Sequence, residues 1–220
     1  MSHYQAFLEG GDFPTPIGKI VCLARNYVEH AAELGNEVPE EPVLFIKPAS
    51  SLVYPGGQVE IPAYSNNCHH EVELAVLIFQ RCKNVSVETA MDYVHGYGVA
   101  IDMTLRDTQA KLKEKGYPWE IAKGFDTSCP LSIFKNKYEV GDPHNLGIQL
   151  RVNGELRQDS TTACMVRKVP EIIAYVSSIF TLDAGDVILT GTPAGVGPVH
   201  SGDVMEAWIE DVGSLKVSVK

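Results

Sequence analysis

The segment His69-His70-Glu71-Val72-Glu73-Leu74-Ala75-Val76-Leu77-Ile78-Phe79 puts two carboxylates two residues apart beside an apolar run. Its even positions from 72 to 78 are Val, Leu, Val and Ile, the pattern of a strand with one buried face. Side chains alternate along a strand, so Glu71 and Glu73 project together from the other face, about 6.6 Å apart at ~3.3 Å per residue. Two carboxylates so placed reach one cation; the same pair would serve equally as solvated glutamates on a half-exposed strand. A second apolar run, Gly96-Tyr97-Gly98-Val99-Ala100-Ile101, ends in Asp102, with Arg106 and Gln109 four and seven residues on. On a helix these three share a face, which makes a ligand-binding corner, although Asp102 could simply cap the helix. Three oxygen donors without a spaced Cys/His cluster favour a hard ion: Mg²⁺ with open positions for water or substrate, and Mn²⁺ next.

Other residues near these segments could do chemistry. His30 and Glu33 stand at i and i+3, a spacing at which a carboxylate orients an imidazole as a general base, and equally an ordinary surface contact. Lys123 sits between Ala122 and Gly124, in a stretch bounded by Trp119 and Phe125 that is more apolar than the usual surroundings of a surface lysine. Arg106 is either a surface cation or a carboxylate clamp. Arg25 could meet a substrate carboxylate or serve the fold. The run from Thr190 to Pro198 (Thr-Gly-Thr-Pro-Ala-Gly-Val-Gly-Pro) lacks the Lys-Ser/Thr of a nucleotide loop. Its glycines would let backbone amides approach a small anion, with Thr192 as a hydroxyl donor; otherwise it is a tight turn. His70 faces away from Glu71 and is expected in the core behind the site, and His3, His95, His144 and His200 are expected to be incidental.

The elements that must hold these groups are mostly strands. Val/Ile/Leu-rich runs between Gly, Pro and Asn/Asp clusters predict strands over 19–24, 43–47, 71–79, 96–102, 147–152, 187–190, 204–209 and 213–219. Helices are expected over 27–34, closed by Gly35, over 104–115, closed by Gly116, and over 170–180, with a short one at 87–94. The fold class is mostly β with a few helices (α+β). No linker or low-complexity tract divides residues 1–220, so one domain is expected. Gly185-Asp186-Val187 and Gly202-Asp203-Val204 echo one another only as turn chemistry.

Composition narrows the partners. The chain has 18 Lys+Arg against 28 Asp+Glu, a net charge of −10, with 45% hydrophobic and 21% charged residues. That is an ordinary globular composition, and its negative charge opposes nucleic acid and anionic membranes. The five cysteines at 22, 68, 82, 129 and 164 form no C-x-x-C pair, which fits reduced thiols in a cytoplasmic compartment. No targeting or transmembrane segment is read at the N-terminus.

Taken in order, several stretches resemble the fumarylacetoacetate hydrolase family. They are Arg25-Asn26-Tyr27, Leu44-Phe45-Ile46-Lys47-Pro48, His70-Glu71-Val72-Glu73-Leu74, residues 101–109, Ala122-Lys123-Gly124-Phe125-Asp126 and residues 189–198, and they span roughly 18 to 210. The resemblance implies a mixed β-roll of that family's C-terminal domain type, a homodimer, and Mg²⁺ (or Mn²⁺) held by Glu71, Glu73 and Asp102. It further implies that Lys123 faces the substrate, stabilising an enolate oxygen or exchanging a proton if its pKa is lowered, and that His30 with Glu33 on a mobile segment activates water. Arg25, Arg106, Gln109 and Thr192 would bind substrate. The implied reactions, on small 2-oxo or 2,4-diketo acids, are acylpyruvate C–C hydrolysis, oxaloacetate decarboxylation and keto–enol tautomerisation. An isomerase/decarboxylase of aromatic-acid catabolism and a non-catalytic domain with a structural divalent ion are the alternatives.

Overall fold

A computed structural model describes residues 4–11 and 14–220; His3 lies outside them. The principal elements are β1 (Lys19–Ala24), α1 (Val28–Glu33), β2 (Val43–Pro48), β3 (Gln58–Val59), β4 (Cys68–His70), β5 (Val72–Ile78) and β6 (Val94–Ile101). They continue with β7 (Thr104–Leu105), α2 (Arg106–Lys115), α3 (Glu120–Lys123), β8 (Lys135–Asn136), β9 (Gly147–Val152), β10 (Glu155–Thr161) and α4 (Val169–Ile179). The chain closes with β11 (Val187–Leu189), β12 (Gly197–Val199), β13 (Val204–Ile209) and β14 (Gly213–Val219).

Three sheets organise the molecule. A six-stranded mixed sheet runs β8-β6-β5-β11-β1-β2, with β11 and β1 parallel and the other neighbours antiparallel. A five-stranded sheet runs β10-β9-β13-β14-β3, and a three-stranded one β7-β4-β12. This is the mostly β, mixed-sheet fold with a few helices that the sequence predicts.

β5 is buried on both faces, because a layer packs on each side of it. Val72, Leu74, Val76 and Ile78 join a core with Ile148, Leu150, Met205, Leu215 and the α4 residues Ile172 and Val176. Ala75 and Leu77 join a second core with Ile20, Cys22, Phe45 and Phe134. The reading of Glu71 and Glu73 as solvated is therefore wrong: they are 4% and 2% exposed.

The predicted strand 71–79 divides at Glu71. Cys68–His70 pairs with β7 and β12, and Val72–Ile78 with β6 and β11, so Glu71 is the corner between two sheets. The predicted helix from 104 likewise starts late. Thr104 and Leu105 pair with His69 and Cys68 as a strand, Thr104 being β-branched, and helix begins only at Arg106. Asp102 therefore lies off the helix and does not share its face with Arg106 and Gln109. Residues 87–94 form one 3-10 turn, Ala90–Tyr93, in place of the expected short helix. The outer strand β10 follows the turn residues Asn153 and Gly154, both at positive φ (51° and 82°). The other expected elements form within one to three residues of their predicted ends.

Candidate metal centre and active site

Register brings the three carboxylates together. Val72 faces Ile101 and His69 faces Thr104 across the two ladders, so Glu71 and Asp102 meet at the shared corner. The Asp102 N–H donates to the Glu71 carbonyl at 2.8 Å, locking that corner. Glu73, opposite Ala100, completes the group, and one oxygen of each carboxylate lies within 4.8 Å of the others. All three are buried.

Their electrostatics are uneven. Burial works against charge on Glu71, but the Lys123 ammonium and Arg106 guanidinium outweigh it and hold its carboxyl well below the usual range. Lys123 Nζ lies 2.8 Å from Glu71 Oε2 and 2.5 Å from Asp102 Oδ2. Arg106 Nη2 bonds Glu71 Oε1. Burial disfavours the charge on Lys123 as well, yet Asp102 and Glu71 raise its pKa above the ordinary lysine value. Glu73 receives the Gly191 N–H at 2.6 Å, and among the described residues no cation lies within ion-pair distance of it. Burial and then the charges of Asp102 and Glu71 push its carboxyl well up. A buried set of three carboxylates whose third member lacks a counter-cation fits a hard divalent ion, which the sequence predicted at these residues.

Around this floor lies a cleft of roughly 440 Å³ including the space at its mouth, with Arg25, His30, Phe45, Gln109, Trp119 and Thr192 among its lining. The structure thus gathers every sequence-predicted site residue except Glu33 into one cavity wall, and Glu33 stands one helical turn from His30. His30 Nδ1 lies 3.5 Å from Glu33 Oε2, and both Glu33 oxygens receive the Gly195 N–H at 3.1 and 3.2 Å. α1 is thereby latched to the glycine run. Burial lowers the His30 pKa, against an opposing pull from Glu71.

The glycine run differs from expectation in one respect. Its amides at 191 and 195 serve the protein's own carboxylates, Glu73 and Glu33, instead of waiting for a small anion. Gly191 has φ +94°, and a Cβ there would come within 2.8 Å of the Asn26 Cβ, so only glycine allows this approach. Thr192 Oγ1 accepts from Gln158 Nε2 at 2.8 Å, leaving its hydrogen for an acceptor in the cleft. Gln109 Oε1 accepts from Arg106 Nη1 at 2.9 Å, so its amide N–H groups are available there too.

Sequence reasoning missed two buried residues. Gln158 accepts from the Val72 N–H at 3.0 Å, meets His70 Nδ1 at 3.0 Å and donates to Thr192, which explains why His70 sits in the core behind the site as expected. Lys47 touches Asp102. Nothing in the polar strand Glu155–Thr161 marks Gln158 as buried, whereas a lysine amid Leu44-Phe45-Ile46 was a usable signal for Lys47.

Residues 19–220 match the model of the fumarylacetoacetate (FAA) hydrolase C-terminal domain. The chain belongs to the fumarylacetoacetate hydrolase family. Among the family's curated members, it is 52% identical over 201 residues to the mitochondrial oxaloacetate tautomerase FAHD1 of Bos taurus, covering 91% of each chain. Among solved structures of the family, the fumarylpyruvate hydrolase of Pseudomonas aeruginosa in complex with Mn²⁺ and pyruvate superposes with a TM-score of 0.94. That protein is 37% identical, with 98% of this chain and 94% of that chain covered. The 5-carboxymethyl-2-hydroxymuconate delta-isomerase of Mycobacterium smegmatis follows at a TM-score of 0.82 and 36% identity, covering 92% and 78%.

Proposed function

We propose that this chain is a divalent-metal enzyme for small 2-oxo acids, catalysing oxaloacetate keto–enol tautomerisation or decarboxylation and acylpyruvate C–C hydrolysis, with residues 1–220 as one catalytic domain. The observation that carries it is the buried Glu71, Glu73 and Asp102 group at the floor of a cleft edged by cations and a histidine. These three residues would hold the ion, Mg²⁺ in the first instance and Mn²⁺ as the alternative. Bound there, it supplies a Lewis acid that polarises a 2-oxo group. Similarity to the tautomerase and to the Mn²⁺- and pyruvate-bound hydrolase supports the substrate class.

The chain's own residues account for the rest. Thr192 and Gln109 offer hydrogen-bond donors to the substrate carboxylate, while Arg106 orients Gln109 and Glu71 more than it clamps substrate. Lys123, stacked 4.9 Å over the Phe45 ring, supplies positive charge where negative charge develops on the former carbonyl oxygen. Phe45 and Trp119, whose ring centroids are 6.2 Å apart, form the apolar part of the cleft wall. His30, kept neutral by burial and oriented by Glu33, accepts a proton from the attacking water in hydrolysis; tautomerisation and decarboxylation need no such nucleophile. At the mouth, Arg25 and Lys113 line the same cleft and suit the second carboxylate of a dicarboxylic substrate. A homodimer and a cytoplasmic or organellar-matrix setting complete the reading; no helix among the described residues is long and apolar enough to cross a membrane.

The test is a screen of oxaloacetate, acylpyruvates and catabolic diene-dioates with EDTA and with Mg²⁺ or Mn²⁺ restored. Activity on the first two that disappears with chelation is expected. Full activity in chelated protein, or unchanged metal affinity in Glu73→Gln, would overturn the assignment.

A further inference from the structure

Asp102 is gripped from two sides, and only one grip belongs to the cleft. Lys123 approaches Oδ2 at 2.5 Å from the cavity side. On the other side Lys47 Nζ lies 2.7 Å from Oδ1, its side chain fully buried and outside the cavity lining. Lys47 also donates to the Ser128 carbonyl at 2.9 Å, to the Met103 carbonyl at 3.3 Å and to the Lys123 carbonyl. An ammonium has three hydrogens, and here four oxygens from three separate chain segments crowd around them. One lysine thus ties the Asp102–Met103 corner to the backbone of Lys123 and to Ser128, from the end of β2, the edge strand of the six-stranded sheet.

We infer that Lys47 is the positioning residue of the metal centre. Its hydrogen bonds go to the three carbonyls, and the ammonium they hold in place pairs with Oδ1 by charge, which draws that oxygen away from the cleft and leaves Oδ2 presented to a cation, while through the Lys123 carbonyl it sets where that lysine stands. Removing Lys47 alone would strip the buried Asp102 of one of its two counter-ions and cost stability in either case, so stability does not separate positioning from folding and cation affinity must. This inference rests on the reading that Glu71, Glu73 and Asp102 bind a cation.

The sign of the effect separates positioning from charge. Removing a positive charge beside the ligands would, by Coulomb's law alone, tighten cation binding. A weakening therefore reports lost geometry. Mn²⁺ binding followed by electron paramagnetic resonance on the full chain should be at least tenfold weaker in Lys47→Met than in wild type. Ser128→Ala, which loses only the Ser128 Oγ bond to the same Lys123 carbonyl at 2.9 Å, should bind Mn²⁺ within twofold of wild type whatever its melting temperature. Unchanged or tighter Mn²⁺ binding by Lys47→Met overturns the inference while leaving the cation site standing; a wild type that binds no Mn²⁺ overturns both. If Lys47→Met does not fold, ¹⁵N-lysine-labelled wild type decides: the slowly exchanging Lys47 ammonium resonance should shift on adding Mg²⁺, and a resonance that stays in place overturns the inference.

Discussion

Burial lowers the His30 pKa below its ordinary value, so at neutral pH the imidazole is the unprotonated form that a base must be. It follows that the acid limb of acylpyruvate hydrolysis should fall below about pH 6.5, the ordinary histidine value, with activity lost as the ring gains its proton. His30→Ala should lower kcat for hydrolysis by about 10²–10⁴-fold and lower oxaloacetate decarboxylation less. Steady-state kinetics on both substrates checks this, and equal losses would mean that His30 supports the fold or closes the cleft and is not the base. Lys123→Ala should lower kcat more than it raises KM, because charge develops beside the ammonium only as the reaction proceeds. Mn²⁺ affinity should not fall in that variant, since the ammonium now sits on Oε2 of Glu71 and Oδ2 of Asp102, where a cation would need them. Lys123→Arg should not restore kcat, the planar guanidinium being too large for a side chain 3% exposed. At this scale the sequence was informative where spacing fixes direction: Glu71 and Glu73 alternate onto one side, and His30 and Glu33 stack on one helical turn. It was silent on Gln158 and on the fact that Arg106 spends an arm on Glu71, because both depend on long-range contacts.

Among the elements, the glycine run is the joint of the site. Gly191 donates to Glu73 and Gly195 to Glu33, so one loop holds both a floor carboxylate and the roof helix. Asn26, fully buried at the root of α1, donates to the Thr190 and Arg167 carbonyls at 2.9 Å each and accepts from the Arg167 N–H at 2.8 Å. Gly191→Ala should therefore do double harm, forcing a side chain into left-handed backbone and into the Asn26 Cβ. A loss on the order of 1–3 kcal/mol in chemical denaturation is expected, together with weaker Mn²⁺ binding by isothermal titration. Strands with apolar runs were legible because their composition matches a doubly buried sheet. The corner at Glu71 was not, since period-two patterning continues unbroken through a residue at which the strand changes sheets. Thr104 and Leu105 were read as helix for a related reason: the pull of Cys68 and His69 across the ladder overrides a local preference.

The molecule as a whole should be stabilised by a divalent ion held at the proposed site. A ligand that favours the folded state adds about 2.7 kcal/mol at a hundred times its dissociation constant, so Mn²⁺ should raise the melting temperature of wild type and not that of Glu73→Gln. Acid should act in the other direction. His144 Nε2 accepts the Val169 N–H at 3.1 Å at the start of α4, and burial lowers its pKa despite the neighbouring Asp142 carboxylate. A proton on that nitrogen would abolish the bond. The unfolded chain takes up the proton first, so this contribution is intact above about pH 6.5 and is lost as pH falls through the depressed folded value. The melting temperature of His144→Gln should accordingly vary less than that of wild type between pH 7 and pH 5.

The two halves of the cleft have different standing in the architecture. Its floor hangs from β5 and β6, strands inside both hydrophobic cores, whereas its roof is a six-residue helix fastened at Asn26 and Gly195. A substitution in the floor disturbs packing on two sides at once; one in the roof disturbs little beyond the roof. Substrate preference can therefore drift along α1 and the chain that follows it while the chemistry beneath stays fixed. A library randomised there, at residues 28–42 with His30 and Glu33 kept, should yield folded variants with altered chain-length preference far more often than one randomised at residues 71–78.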